Sequence, residues 1–286
     1  MSPTRKESPQ VTTPKVNTIK RGGSRFYVNP DDAKQKVPGV TSIIGMLPKD
    51  FLRYWAAKEV AQTAVDSLPT VLQMILNDQK DAAVDFLKKS PDRNTRKAAD
   101  TGTAAHDLFE RMAKGETLGR VHPDLEPFVR HFDEFLTVCK PEYHFMEETV
   151  WSDKHGYAGS FDAYAVIDGH RLWLDNKTTR SGVHAEVGIQ LSAYRYADSI
   201  IRADGGRVPM PEADGGAVVH VRPEGWQLVP VRCDEALFEL FLHLREIFNY
   251  EKELKPTILG HAVASGPAEN APTGPKRRTP RAKVVE

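Results

Sequence analysis

Gly159-Ser160-Phe161-Asp162, Leu174-Asp175-Asn176-Lys177 and Gln190-Leu191-Ser192-Ala193-Tyr194 are the pieces of this chain whose reading decides its fold. The first two lie in runs rich in β-branched and aromatic residues, Tyr157 to Ile167 and Arg171 to Thr178, and a third such run, Phe145 to Trp151, precedes them. Turn residues separate the runs at Asp153-Lys-His-Gly156 and Asp168-Gly169, so the segment predicts a three-stranded meander. Gln190 and Tyr194 fall in a helix expected from about His184 to Ala203. Beyond it, Ala217 to Val221 and Trp226 to Val231 flank Pro223-Glu224-Gly225 and predict a hairpin. A helix near Asp234 to Glu251 follows, with Leu237, Leu240, Phe241 and Leu244 at helical spacing.

Upstream the texture is different. A small hairpin is expected from Val16 to Val28 around Arg21-Gly22-Gly23, then comes the apolar run Val40-Thr-Ser-Ile-Ile44. After Pro48, Phe51, Leu52, Trp55, Val60 and Ala64 recur at helical spacing. Further helices are expected at about 69 to 89, 94 to 114 and 125 to 138, the last with Phe128, Phe132, Phe135 and Leu136 on one side. The fold class that follows is α/β: a small mixed sheet flanked by helices, with added N-terminal helices. The ordered domain is expected over 16–260, with an N-terminal hairpin and helical part at 16–93, a core at 94–231 and a C-terminal helix at 232–260. The Pro-rich residues 1–15 and the basic tail 261–286 lack the apolar surface to order themselves.

Composition limits the partners. Lys plus Arg and Asp plus Glu are both 39 in 286 residues, so no global positive field marks a nucleic-acid partner, and any such partner needs a local basic patch. Two cysteines, Cys139 and Cys233, are too few for a disulfide framework, a four-cysteine zinc site or an iron–sulfur cluster. They read as reduced, buried thiols. With no run of membrane-spanning length, the expectation is a soluble protein of a reducing, cytoplasmic compartment with no membrane partner.

Strand geometry turns the central pieces into a site. Side chains alternate across a strand, so Asp175 and Lys177 share one face. Asp162 lies on the preceding strand of a tight hairpin, beside the middle of the next, which brings two carboxylates within reach of one cation. Oxygen donors of this kind suit Mg²⁺ or Mn²⁺, and without a cation the two acids repel and one tends to hold a proton. Such an ion, with a lysine near the attacking water, meets the needs of phosphodiester hydrolysis.

Asp162 followed by Asp175-x-Lys177, in this strand order, resembles the PD-(D/E)xK nuclease superfamily. Gln190-x-x-x-Tyr194 on the next helix resembles its RecB-like branch, as does Gly102-Thr-Ala-Ala-His106 upstream. The opening Val37-Pro-Gly-Val-Thr-Ser-Ile-Ile44 and the Trp55 helix are similar to phage-encoded exonucleases of that branch. The resemblance implies a restriction-endonuclease-like core, with His106, Asp162 and Asp175 as metal ligands and the backbone carbonyl of Asn176 available as a fourth. It implies Lys177 as the catalytic lysine, Gln190 and Tyr194 as residues that position DNA or support the site, and Glu148 as a weaker acidic candidate on the strand before. Arg180, just past the lysine, is a weaker candidate for phosphate contact. Many RecB-like nucleases carry four cysteines for an iron–sulfur cluster, which this chain does not have.

The expected function is a metal-dependent deoxyribonuclease acting on single- or double-stranded DNA, exonucleolytic rather than endonucleolytic. Its expected setting is replication, recombination or repair alongside proteins of those processes, and a phage origin fits. Three alternatives stay open: a structure-specific or nicking endonuclease with the same site, a catalytically idle DNA-binding or adaptor protein of the same fold, and an unrelated globular protein in which the pattern is accidental. Each piece taken singly also has a plain reading, such as a solvated Asp-x-Lys face, a core histidine or a packed tyrosine.

Overall fold

The computed structural model describes residues 16–261 and 263. The expected tails, 1–15 and most of 261–286, lie outside the described residues. The chain divides into two compact units, one ending at Phe248 and the other starting at Asn249, so the boundary falls before residue 260. The described part of the second unit is a π-helical turn, Tyr250–Leu254, and a 3-10 turn, Lys255–Thr257.

In the first unit a three-stranded antiparallel sheet comes first, β1 (Thr18–Arg21), β2 (Ser24–Val28) and β3 (Lys36–Pro38). Gly22 and Gly23 form the β1–β2 turn with φ of 56° and 76°, the left-handed pair that a two-residue hairpin turn requires. Val40–Ile44 is a short helix, α1. Four helices follow: α2 (Phe51–Asp66), α3 (Leu68–Leu76), α4 (Lys80–Lys88) and α5 (Ser90–Ala113). The single helix expected at 69–89 is thus split, and Asp78 between the halves has φ 59°, which no α-helix continues through. The apolar positions of α2 do form a helix but not a core: Phe51 is 59% exposed and no α2 residue is buried.

After α6 (Glu126–Cys139) the meander appears as expected, β4 (Glu142–Ser152), β5 (Tyr157–Ile167) and β6 (His170–Lys177). The next helix, α7 (Glu186–Arg195), stops well before Ala203. Ser199–Ile201 is instead strand β7, held antiparallel to Thr149–Trp151 of β4, and Arg207–Pro209 pairs beside it as β8. Here partner strands overrode helical spacing. The chain then returns as β9 (Gly215–Arg222), β10 (Gly225–Val231) and α8 (Glu235–Asn249).

The result is a mixed α/β unit with a seven-stranded sheet in the order β10-β9-β6-β5-β4-β7-β8. Every pair is antiparallel except β6 with β9, which run parallel; between them the chain passes through α7, β7 and β8 at the other edge of the sheet. One sheet face is covered by α1, α7 and α8, where Ile43, Leu191 and Phe241 share one buried core with Trp173. The other is covered by α5 and α6, where Phe109 and Phe132 stack at 4.2 Å over Ala163, Leu174 and Val219. Each buried Phe contributes about 1.5–3 kcal/mol. Trp151 and Trp173 are fully buried, as core residues should be, Cys233 is buried and Cys139 partly so. No helix among the described residues is long and apolar enough to cross a membrane.

Gly159 on β5 is where α7 comes closest to the sheet. A Cβ there would lie 2.7 Å from Tyr194 Cε1 and 2.9 Å from Val40 Cγ2. Gly159→Ala therefore displaces Tyr194 or α1, and denaturant unfolding should show a loss of about 1–3 kcal/mol.

Candidate active site

The site grows from a parting of strands. β5 and β6 pair from Ile167↔His170 up to Ala163↔Leu174, and the register, continued one step, sets Asp162 opposite Asp175. There the ladder stops. Asp162 Oδ2 accepts the Asn176 N–H at 2.6 Å, a carboxylate standing in for the missing backbone partner. β6 runs on through Lys177, paired only with β9.

On the far face, Asp175 and Lys177 project together as alternation requires, with Lys177 Nζ 2.7 Å from Asp175 Oδ2. That oxygen is buried and makes no other polar contact among the described residues. Gln190 on α7 donates to Asp175 Oδ1 at 2.8 Å and to the Tyr194 hydroxyl at 3.2 Å, and Tyr194 in turn donates to the Ser160 carbonyl at 2.8 Å. Two residues four apart on one helix thus tie β6 to β5. Gln190 and Tyr194 brace the acid.

His106 arrives on α5. The helix passes close to the end of β6 because Gly102 has no side chain there: a Cβ would be 3.3 Å from Thr178 Oγ1. One turn on, His106 Nδ1 is 3.7 Å from Asp162 Oδ2. His106, Asp162, Asp175, Asn176 and Lys177 are therefore brought together, with Asn176 joined through its N–H. Among the described residues, however, no three His, Cys, Asp or Glu side chains are gathered closely enough to hold a metal ion as they stand. The expected ligands meet in pairs, and Lys177 takes the open oxygen of Asp175.

The electrostatics are those of crowded acids. Burial, and then the charge of Asp162, push the Asp175 carboxyl up to about 6, with Lys177 and His106 pulling the other way. Burial would lower the Lys177 pKa, but Asp175, Asp162 and Glu186 outweigh it and hold the ammonium charged. Burial keeps the Tyr194 hydroxyl protonated and able to donate.

The one assignment on β4 changes. Glu148 lies 3.5 Å from Arg202, and among the described residues no polar contact joins it to Asp162, Asp175 or Lys177, so it does not join the site. Its neighbour Glu147 does. The register Met146↔Ala163 and Glu148↔Phe161 sets Glu147 opposite Asp162, and its φ of 51° re-aims the strand at that point. Burial first, then Asp162 and Glu110, push the Glu147 carboxyl up to about 8, and Lys114, ion-paired with Glu110, pulls it down. Glu110, Glu147, Asp162 and Asn176 line one small cavity under Phe109 and Phe132. The hairpin register, in which Ser152 pairs with Tyr157, is the signal that selects Glu147 over Glu148. Arg180 is exposed in the turn after β6.

In comparisons with known proteins, the chain matches no family model and no curated protein.

Because the native state holds protons on Glu147 and Asp175 that the unfolded chain releases, it binds more protons than the unfolded state above the ordinary carboxylate range. Unfolding free energy then falls with rising pH, by at most about 1.4 kcal/mol per unit for each proton. For Glu147 the window runs from 4.5 up through about 8. In chelator, denaturant midpoints should decline across it, and Glu147→Gln should flatten the decline and raise stability at its alkaline end.

Proposed function

We propose that this protein is a divalent-metal-dependent DNA nuclease of the PD-(D/E)xK superfamily, RecB-like branch, acting as an exonuclease. The observation that carries the reading is the meeting of Asp162 and Asp175 where β5 and β6 part, with Lys177 on Asp175 and His106 beside Asp162. The order of elements supports it too: a helix bearing the histidine, three antiparallel strands bearing the acids and lysine, a helix bearing Gln190 and Tyr194, then a strand parallel to β6.

The donors fit Mg²⁺ or Mn²⁺. They are hard carboxylate oxygens with one imidazole, and the burial and the repulsion from Asp162 that raise the Asp175 pKa are what a shared cation relieves. Asp162 and Asp175 would hold the ion, with His106 and the Asn176 carbonyl at its edge. When bound, such an ion supplies an acidified water and charge stabilisation at the phosphate.

The chain's own residues have defined work. Lys177 leaves Asp175 to meet the attacking water and the phosphoryl oxygens, where its positive charge offsets the negative charge that grows during bond breaking. Gln190 keeps Asp175 Oδ1 occupied, so only Oδ2 is presented. Asp162, fixed by the Asn176 N–H, keeps its other oxygen free of the ladder. Tyr194 carries no charge and serves as a strut between helix and strand.

End-labelled linear DNA and closed circular DNA, each incubated with Mg²⁺, Mn²⁺ or chelator, test the reading. Linear DNA should be degraded from its ends with either metal, circles spared, and chelator should stop the reaction. Lys177→Ala and Asp162→Asn should each slow it by at least about 10²–10³. A Lys177→Ala protein as fast as the parent would falsify the assignment. Cut circles point to the endonuclease alternative, and DNA binding without cleavage to an idle binding protein.

A further inference from the structure

The connection from β6 to α7 follows Lys177 directly and is rich in groups that suit phosphate: Thr178, Thr179, Arg180 and Ser181. It is braced from within. Thr179 Oγ1 donates to the Gly182 carbonyl at 2.9 Å, Gly182 takes a φ of 94°, and Ser181 Oγ bonds His184 Nε2 at 2.8 Å.

Its tie to the sheet is a side chain of β9. The parallel ladder between β6 and β9 ends with Lys177 opposite His220. Past that rung the chain leaves the sheet, and His220 Nε2 donates to the Thr179 carbonyl at 2.7 Å. The carbonyl can only accept, so Nε2 carries the hydrogen. His220 is 3% exposed and makes this bond from inside the sheet. On the other side α5 presses near the start of the turn at Gly102 and Thr178. Arg180 therefore stands exposed on a turn whose preceding residue is pinned.

We infer that His220 is a positioning residue which, by fixing Thr179, holds the turn so that Arg180 meets the phosphate next to the one at Asp162, Asp175 and Lys177. The inference rests on the nuclease reading. A pinned turn loses less conformational freedom on binding than a loose one, so the bond improves DNA affinity. A contact made equally before and during bond breaking acts on KM and leaves kcat alone.

His220→Phe keeps a ring and removes the donor, whereas His220→Gln carries an amide that reaches toward Thr179. Binding of fluorescent single- and double-stranded oligonucleotides in chelator is followed by anisotropy across a salt series, and KM and kcat are measured in Mg²⁺. His220→Phe should weaken binding and raise KM about tenfold, leave kcat within about threefold, and lower the salt slope by about one, as Arg180→Ala does. His220→Gln should restore all three, and tryptic cleavage after Arg180 should be faster in His220→Phe alone. A His220→Phe protein with parental affinity, or one that loses kcat at unchanged KM, overturns the inference. So does a double variant with Arg180→Ala whose losses simply add. If His220→Phe does not fold, His220→Asn, too short to reach Thr179, is judged by the same outcomes. A parent that binds no DNA overturns the nuclease reading and this inference with it; a parent that binds no better than His220→Phe overturns the inference alone.

Discussion

One hydrogen bond organises the centre of this molecule: the Asn176 N–H into the Asp162 carboxylate. Adjacent strands in a sheet normally satisfy each other's backbone, and a strand that leaves its neighbour exposes donors and acceptors that must be paired. Here β6 leaves β5 at Leu174 and stays with β9, and a side chain closes the gap. A bond to a charged acceptor contributes roughly 1.5–3 kcal/mol, enough to fix the fork in place. Everything else at the site is arranged around that fork: Asp175 across it, Lys177 beyond it, His106 above it and Glu147 behind it.

The price of the arrangement is charge crowding, and the fold answers it in several ways. Lys177 neutralises Asp175, Lys114 neutralises Glu110, and Gln190 supplies a neutral donor where a second cation would have cancelled the field. At Glu147, burial and the charges of Asp162 and Glu110 outweigh Lys114 and push the carboxyl up to about 8.

Much of this was legible in the residues. Alternation alone set Asp175 and Lys177 on one face, the helical spacing of Gln190 and Tyr194 aligned them, and the three strands of the meander fell within a few residues of their positions in the fold. What was not legible depended on partners distant in the chain. Ser199-Ile200-Ile201 is too short to announce a strand and becomes one because β4 has an open edge. Glu147 and Glu148 are adjacent and chemically identical, so only the hairpin register and a left-handed backbone at Glu147 decide between them. The helices α2 to α4 show the opposite failure: their apolar spacing is real, yet Phe51, Leu72 and Leu76 remain exposed.

The parallel pairing of β6 has a consequence for the order of events during synthesis. β4 and β5 close as local hairpin neighbours, but β6 stays a bare edge on one side until α7, β7 and β8 have been made and β9 returns beside it. Non-local closures of this kind come late, after the entropy of the intervening loop has been overcome. A nascent chain therefore holds Asp175 and Lys177 on an unfinished margin, and that edge is closed only once synthesis has passed Arg222.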